Sequence, residues 1–162
     1  MKYIMLLVML CPFFIDGMQS ANLQTINTDL VLESGSGSIA AIRKLIEQGA
    51  DVNYNDPQRG TPLFQASGWG KIEAMRLLLE AGADSNIPIY ILGLTLATPL
   101  SMVLNGFQQG MISDRNQALE AIRLLLSHGA DVGNPSVQKA ITNHPALGQL
   151  LKEAGLSLNK LS

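Results

Sequence analysis

The residues that could do catalytic chemistry are two histidines and three aspartates. A general acid or base, or a metal ligand, would need His128 or His144 beside other ionisable groups, and the two lie far apart in the chain. Asp51, Asp84 and Asp131 each follow a Gly-Ala dipeptide, so their spacing comes from a repeat and not from paired catalytic carboxylates. We expect His128 in the last turn of a helix, where the helix dipole favours a cation, and His144 just before the last helix.

Other chemical motifs do not occur in the sequence. It contains no GxSxG nucleophile turn, and the glycine-rich run at residues 34–38 does not follow a strand, as a phosphate-binding loop would. Cys11 is the only cysteine and falls in an apolar leader, so the mature chain has no thiol for a disulfide, a metal site or a nucleophile. The sequence predicts a protein that is not an enzyme, with no catalytic, cofactor-binding or metal-binding residues.

Composition and charge fit one ordinary globular domain. The chain has 162 residues, of which 47% are hydrophobic and 15% are charged, and this argues against disorder. Its formal net charge is −2, and it stays at −2 when a leader with one lysine and one aspartate is removed. Because a nucleic-acid-binding surface needs a basic patch, we expect no nucleic-acid partner.

Residues 1–21 are typical of a secretory signal peptide. Lys2 precedes twelve apolar or proline positions, Ile4 to Ile15, and small and polar residues follow. Twelve residues are too few to cross a bilayer as a helix, which takes about twenty, so we expect no stable membrane insertion after the leader is removed. We predict a periplasmic protein, with secretion into the medium as the alternative. Three positions offer a cleavage point: Gly17, Ser20 and Ala21.

A Gly-Ala-Asp phrase recurs along the chain. An apolar run with helical spacing precedes each copy, which predicts an amphipathic helix with one buried face. The glycine stands where a helix ends in a left-handed conformation, and the Asp and Asn after it favour a turn into an extended hairpin. The copies are "EQGADVN" ending at Asn53, "EAGADSN" ending 33 residues later at Asn86, "SHGADVG" ending at Gly133, and the variant "EAGLSLN" ending at Asn159.

A Thr-Pro-Leu motif marks the start of the helices that follow the phrases. It occurs at Thr61–Leu63 and at Thr98–Leu100, where threonine caps free amides and proline occupies the first turn. With the phrases, this motif resembles the ankyrin repeat family, whose unit is a hairpin followed by two helices and whose signature is T-P-L-H-x-A. The resemblance covers roughly residues 29–159. It implies an all-α ankyrin-repeat solenoid of about four units.

The resemblance divides the chain into the leader and one ankyrin-repeat domain, residues 22–162. Phe64 and Ser101 stand where the family has histidine, so the histidine hydrogen-bond ladder should be missing and neighbouring units should rely more on apolar packing. The third unit is expanded, and its extra interhelix residues either form a projecting segment or lengthen both helices by a turn. The units are residues 29–53, 54–86, 87–133 and 134–162, with the first and last acting as caps.

The resemblance implies a concave binding face made of hairpin tips, first helices and interhelix turns. Trp69 lies at such a turn between glycines, so its ring is either exposed or packed on a neighbouring repeat. The first hairpin would give a polar rim, and the second an apolar tip that either binds a protein or packs internally. The predicted protein-binding residues are Tyr54, Asp56, Gln58, Arg59, Trp69, Ile87, Ile89, Tyr90, Ile91, Leu92, Phe107 and Met111.

These features favour a non-catalytic, exported binding module. Its expected partner is a protein that it inhibits or masks, because small exported ankyrin-like proteins of bacteria include immunity proteins that neutralise toxin enzymes. Two alternatives stand beside this hypothesis: a periplasmic ankyrin protein that accompanies oxidative-stress defence, and a secreted adaptor directed at a host. The sequence contains no residue that decides among them.

Overall fold

The structure, a computed structural model, describes residues 22–91 and 95–155 of the chain. The predicted leader, residues 1–21, and residues 156–159 of the last repeat phrase lie outside the described residues. Across the described ranges, no helix combines the length and the apolar character that a membrane span requires. The helices are α1 (residues 22–36), α2 (Ile39–Glu47), α3 (Pro62–Gly68), α4 (Ile72–Glu80), α5 (Pro99–Gln108), α6 (Arg115–Ser127), α7 (Pro135–Asn143) and α8 (Pro145–Glu153).

The helices stack in two layers. The first helices of successive pairs pack on one another, α3 on α5 and α5 on α7. The second helices do the same, α2 on α4, α4 on α6 and α6 on α8. This side-by-side stacking of helix pairs confirms the predicted all-α solenoid. Two short strands, β1 (Ile89–Ile91) and β2 (Thr95–Ala97), add an antiparallel hairpin between α4 and α5.

Local capping explains where α3 and α5 begin. Thr61 Oγ1 accepts a hydrogen bond from Phe64 N at 3.2 Å at the start of α3. At α5, Ser101 N donates to Thr98 Oγ1 at 3.4 Å, and Thr98 N donates to Ser101 Oγ at 2.9 Å, which completes a capping box. The role predicted for the Thr-Pro-Leu motif is confirmed. Ser101, which replaces the family's histidine, takes part in the cap.

A ladder of asparagine side chains joins successive helix pairs. Asn53 Nδ2 donates to Gly82 O at 3.2 Å, and Asn53 Oδ1 accepts from Asp84 N at 2.8 Å. Asn86 makes the same two bonds to the next unit, at 2.9 and 2.8 Å. Asn27 Oδ1 begins the series by accepting from the amide of the first phrase's aspartate at 2.8 Å. The expectation of neighbours held mainly by apolar packing was therefore incomplete, because asparagine supplies a polar ladder.

We expect Asn86→Ala to lower the free energy of unfolding by about 1–2 kcal/mol, because Gly129 O and Asp131 N both lose a partner. Chemical denaturation of the variant and the unaltered protein measures this difference. Asn55→Ala is the matched control, since Asn55 is exposed and its side chain has no hydrogen bond to another described residue. Equal losses in the two variants would show that the ladder does not couple the units.

The third helix pair is longer than the second. Helix α5 has 10 residues where α3 has 7, and α6 has 13 residues where α4 has 9. Of the two expectations for the extra interhelix residues, the lengthening of both helices by about a turn is the one observed. A short connection, residues 109–114, joins the two helices. Its Ile112 is 1% exposed and therefore belongs to the core.

The core between the layers is mainly aliphatic, and among the described residues one buried side chain has a polar atom without a hydrogen-bond partner. Leu78, Leu104 and Leu125 are fully buried there. Ser67, on α3, is also 0% exposed, and its Oγ has no hydrogen-bond partner among the described residues. A buried hydroxyl without a partner keeps its desolvation cost with no bond to offset it. The hydroxyl of Ser67 therefore lowers the free energy of unfolding, and a substitution that removes the hydroxyl should raise it.

Ser67→Ala is expected to raise the free energy of unfolding by about 1 kcal/mol, because the unpartnered hydroxyl is removed and alanine has the higher helix propensity. Thermal and urea unfolding measure the change. Ser34→Ala is the comparison, since Ser34 is equally buried but its Oγ donates to Leu30 O at 2.6 Å, and this variant should not gain stability. A gain in Ser34→Ala as large as that in Ser67→Ala would contradict the explanation.

Candidate protein-binding surface

The two histidines occupy positions at helix ends. His128 ends α6, with its Nδ1 2.9 Å from Leu124 O, as expected for a residue that caps a helix. His144 lies between α7 and α8, and its ring contacts the side chain of Gln108. In the part of the chain that the structure describes, no three His, Cys, Asp or Glu side chains come close enough to hold a metal ion. Each histidine therefore contacts a group at the end of a helix.

The recurring aspartates shape the turns of the repeat. Each carboxylate accepts a hydrogen bond from the amide two residues further along, at 2.8–2.9 Å, in the same way at Asp51, Asp84 and Asp131. The turn then presents the following asparagine to the next unit, except after Asp131, where the sequence has Gly133. The interpretation of these residues as repeat positions is confirmed.

Trp69 is a large apolar side chain that is half exposed. It is the C-cap of α3, and 51% of its surface is accessible. The edge of the indole rests on α1, where a Cβ added to Gly35 would lie 3.6 Å from Trp69 Cδ1. Both expectations for this residue thus hold in part, because one edge of the ring packs on the neighbouring unit and the rest faces solvent.

The first hairpin differs from the predicted polar rim at one position. Asp56 is buried, and its Oδ1 accepts hydrogen bonds from Gln58 N and Arg59 N, both at 2.9 Å. A carboxylate that satisfies two backbone amides inside the turn is not available to a partner, so its predicted exposure was wrong. Gln58 is exposed, whereas Tyr54 and Arg59 are partly exposed. Three of the four predicted rim residues are therefore accessible.

The second hairpin is anchored by a buried residue. Ile89 pairs with Ala97 in the ribbon, is 5% exposed, and packs with Phe64 and Met102. Gly60 makes this packing possible, since a Cβ there would lie 2.3 Å from Ile89 Cδ1. The predicted exposure of Ile89 was wrong, because Gly60 leaves room for its side chain. This end of the hairpin packs internally, against α3 and α5.

The other predicted hairpin residues lie further from the anchor. Ile87 is partly exposed. Tyr90 and Ile91 continue β1, where Tyr90 stands opposite Leu96. Leu92 lies outside the described residues. The hypothesis of an apolar binding tip on this hairpin therefore stays a prediction.

The connection between α5 and α6 contributes one exposed residue. Met111 is 43% exposed, whereas Phe107 is partly buried and packs on the core. Ile112 lies beneath, where added Cβ atoms at Gly70 and Gly106 would come within 3.1 and 3.4 Å of its side chain. The turn that carries Trp69 and the connection that carries Met111 thus pack together through Ile112.

Two residues on this surface were not predicted from the sequence. Leu32, on α1, is 48% exposed, and it lies one helical turn before the Gly35 that Trp69 touches. Met102, on α5, is partly exposed, and its side chain passes over Gly68 of α3. Leu32 is an apolar residue on the polar side of α1, and the sequence alone could have identified it by that position. We call Leu32, Trp69 and Met102, with Gln65 and Asn105 beside them on α3 and α5, the first-helix surface.

Stacked helix pairs with an apolar surface on their first helices define a class: helical-repeat proteins that present an extended face to another molecule. The chain belongs to the ankyrin repeat family. A family model for ankyrin repeats in three copies matches residues 10–89. Ankyrin repeats indicate a module for protein–protein interaction, which suggests a protein partner. A comparison with curated proteins gave no match.

Proposed function

We propose that this chain is an exported binding protein that masks one partner protein, and that the partner is a toxin-type enzyme for which the chain is the immunity inhibitor. The observation that carries the proposal is the half-exposed Trp69. Tryptophan is the residue type most enriched among interface hot spots. Exposure of its large apolar surface to water is unfavourable and often marks an interaction site. The apolar leader sequence at residues 1–21 supports export.

An extended surface is better suited to masking a partner than to catalysis. An inhibitor works by covering a partner's site with a complementary face, and it needs neither a deep pocket nor activated groups. The first-helix surface offers apolar and amide side chains across three successive helices, α1, α3 and α5. The accessible Tyr54 and Arg59 of the first hairpin are of the types found in interfaces.

The proposal is tested with the mature chain, residues 22–162, as bait in an extract of the native cell. The captured protein is identified by mass spectrometry, and its catalytic activity is then titrated with the bait. We expect inhibition that is complete near one bait per enzyme. A captured enzyme that keeps full activity when saturated with bait would overturn masking, and a bait that retains no partner would overturn the proposal altogether.

Export is tested separately by cell fractionation. The full chain with a C-terminal tag is expected in the periplasmic fraction, shortened by its leader. Deletion of residues 2–15 should keep the tagged protein in the cytoplasm. A full-length protein found in the cytoplasm of unaltered cells would contradict export while leaving the interaction with a partner intact.

A further inference from the structure

Charged residues are unevenly shared between the two helix layers. The second helices α2, α4, α6 and α8 each carry at least two charged side chains, whereas the first helices α3 and α5 carry none. Between Ser85 and Ser113, a stretch that includes β1, β2 and α5, the sequence has no Asp, Glu, Lys or Arg. Lys139 is the one charged residue of α7. Helix α1 of the same layer carries Asp29 and Glu33, so the part of the layer without charge is α3 and α5.

In the layer of second helices, charged side chains of neighbouring helices form ion pairs with one another. Arg76 of α4 pairs with Glu120 of α6 at 3.1 Å, and Arg115 of α6 pairs with Glu153 of α8 at 2.8 Å. A face that only meets water gains solubility from such charges. The first-helix surface lacks them although Trp69 and Leu32 stand half exposed on it. Depletion of charge combined with exposed Trp and Met is the composition found at the centre of protein interfaces.

We infer that the segment of the partner that contacts the first-helix surface is uncharged and apolar. The inference rests on the proposed function, since this surface is the one that holds the partner. A charged side chain docked against α3 and α5 would lose its water and find no opposite charge there. Lys139 lies beyond Asn105, across the groove between α5 and α7 that also contains Ser101. A partner carboxylate therefore fits at that far edge and not against α3 and α5.

The probe for this inference is a phage-displayed library of random peptides of about twelve residues, selected on immobilised residues 22–162. We expect the enriched peptides to be rich in Leu, Ile, Phe and Tyr and depleted of Asp, Glu, Lys and Arg relative to the input. Trp69 is the only tryptophan of the chain, so synthetic copies of enriched peptides without tryptophan can be titrated by the emission of Trp69. Their dissociation constants should change less than about twofold between 50 and 500 mM NaCl, because no ion pair is formed.

A pair of matched variants locates the binding. Asn105→Lys places a charge on the first-helix surface, and Asn116→Lys places the same charge on α6 in the other layer. Peptide affinity should fall at least tenfold in Asn105→Lys and stay unchanged in Asn116→Lys, with thermal unfolding showing both variants folded. Enriched peptides that are charged, a selection without enrichment, or equal affinity in the two variants would each overturn the inference.

Failure of this inference is distinguishable from failure of the proposed function. Charged peptides together with capture of an inhibited enzyme would leave the proposed function standing and contradict only the neutral contact segment. Uncharged peptides without any captured enzyme would leave the chemistry of the surface standing and remove the immunity role. Self-association is a further outcome: a dimer in analytical ultracentrifugation that Asn105→Lys dissociates would mean that a second copy covers the surface, and it would overturn the inference of a different partner.

Discussion

Gly106→Ala is expected to lower the free energy of unfolding by about 2–3 kcal/mol, because α3 and α5 cross too closely for a side chain. A Cβ added to Gly106 would lie 2.7 Å from Gly68 O. The obstacle is a backbone carbonyl, which cannot rotate away as a side chain can. The two helices must separate, and the contacts of the buried Leu104 on α5 are lost with them. Urea unfolding monitored by circular dichroism measures the loss.

The matched control for this prediction is Gly35→Ala in α1. Gly35 is also helical, but its added Cβ would meet its nearest atom, of Gln65, at an ordinary 3.5 Å. Alanine should be tolerated there and could add up to about 1 kcal/mol through helix propensity. If Gly106→Ala and Gly35→Ala unfold at the same denaturant concentration, the close crossing of α3 and α5 has no energetic importance.

The parts of the fold that the sequence predicted depend on local chemistry. Thr61 and Thr98 cap helices because the bond they form reaches only three residues along the chain. Gly82 ends α4 with a φ of +94°, a conformation that is available to glycine without a Cβ clash. Such determinants lie within one turn of the residue they affect, so a motif is enough to recognise them.

The wrong prediction for Ile89 has a different cause, which is a contact between distant parts of the chain. Ile89 is buried because Gly60, 29 residues earlier, leaves space for it. Ile112 is buried because Gly70 and Gly106 leave the space that it fills. A sequence shows that a residue is glycine, but it does not show which distant side chain takes the place of the missing one. Burial in these hairpins and connections therefore needed the structure.

The asparagine ladder could have been predicted from the sequence. Asn53 and Asn86 recur at the repeat distance of 33 residues, and a side-chain amide offers both a donor and an acceptor. What the sequence did not show is that the partners are a carbonyl and an amide of the next unit. The first-helix surface was only half predicted for the same reason. Trp69 was identified by its flanking glycines, whereas Leu32 lies one turn before the Gly35 on which Trp69 packs, and that packing is visible only in the structure.

Trp69→Ala is expected to weaken binding of the captured partner by at least about 2 kcal/mol, or roughly thirtyfold, on the scale of an interface hot spot. The indole contributes a large apolar area from a turn that is held on both sides by buried glycines, Gly68 and Gly70, so little entropy is lost when it docks. Because half of the ring is already in solvent, the same change should cost less than about 1 kcal/mol of stability. Surface plasmon resonance and thermal unfolding measure the two effects.

Leu23→Ala is the matched control, because Leu23 is 47% exposed on the same helix that Trp69 touches. It precedes Gly35 by twelve residues, which corresponds to about 18 Å along a helix, so its loss should leave the affinity unchanged. In the unaltered protein, binding should also shift the emission of Trp69 to shorter wavelength as the ring leaves water. Unchanged affinity in Trp69→Ala, with no such shift, would place the partner on another face and remove the observation on which the masking role depends.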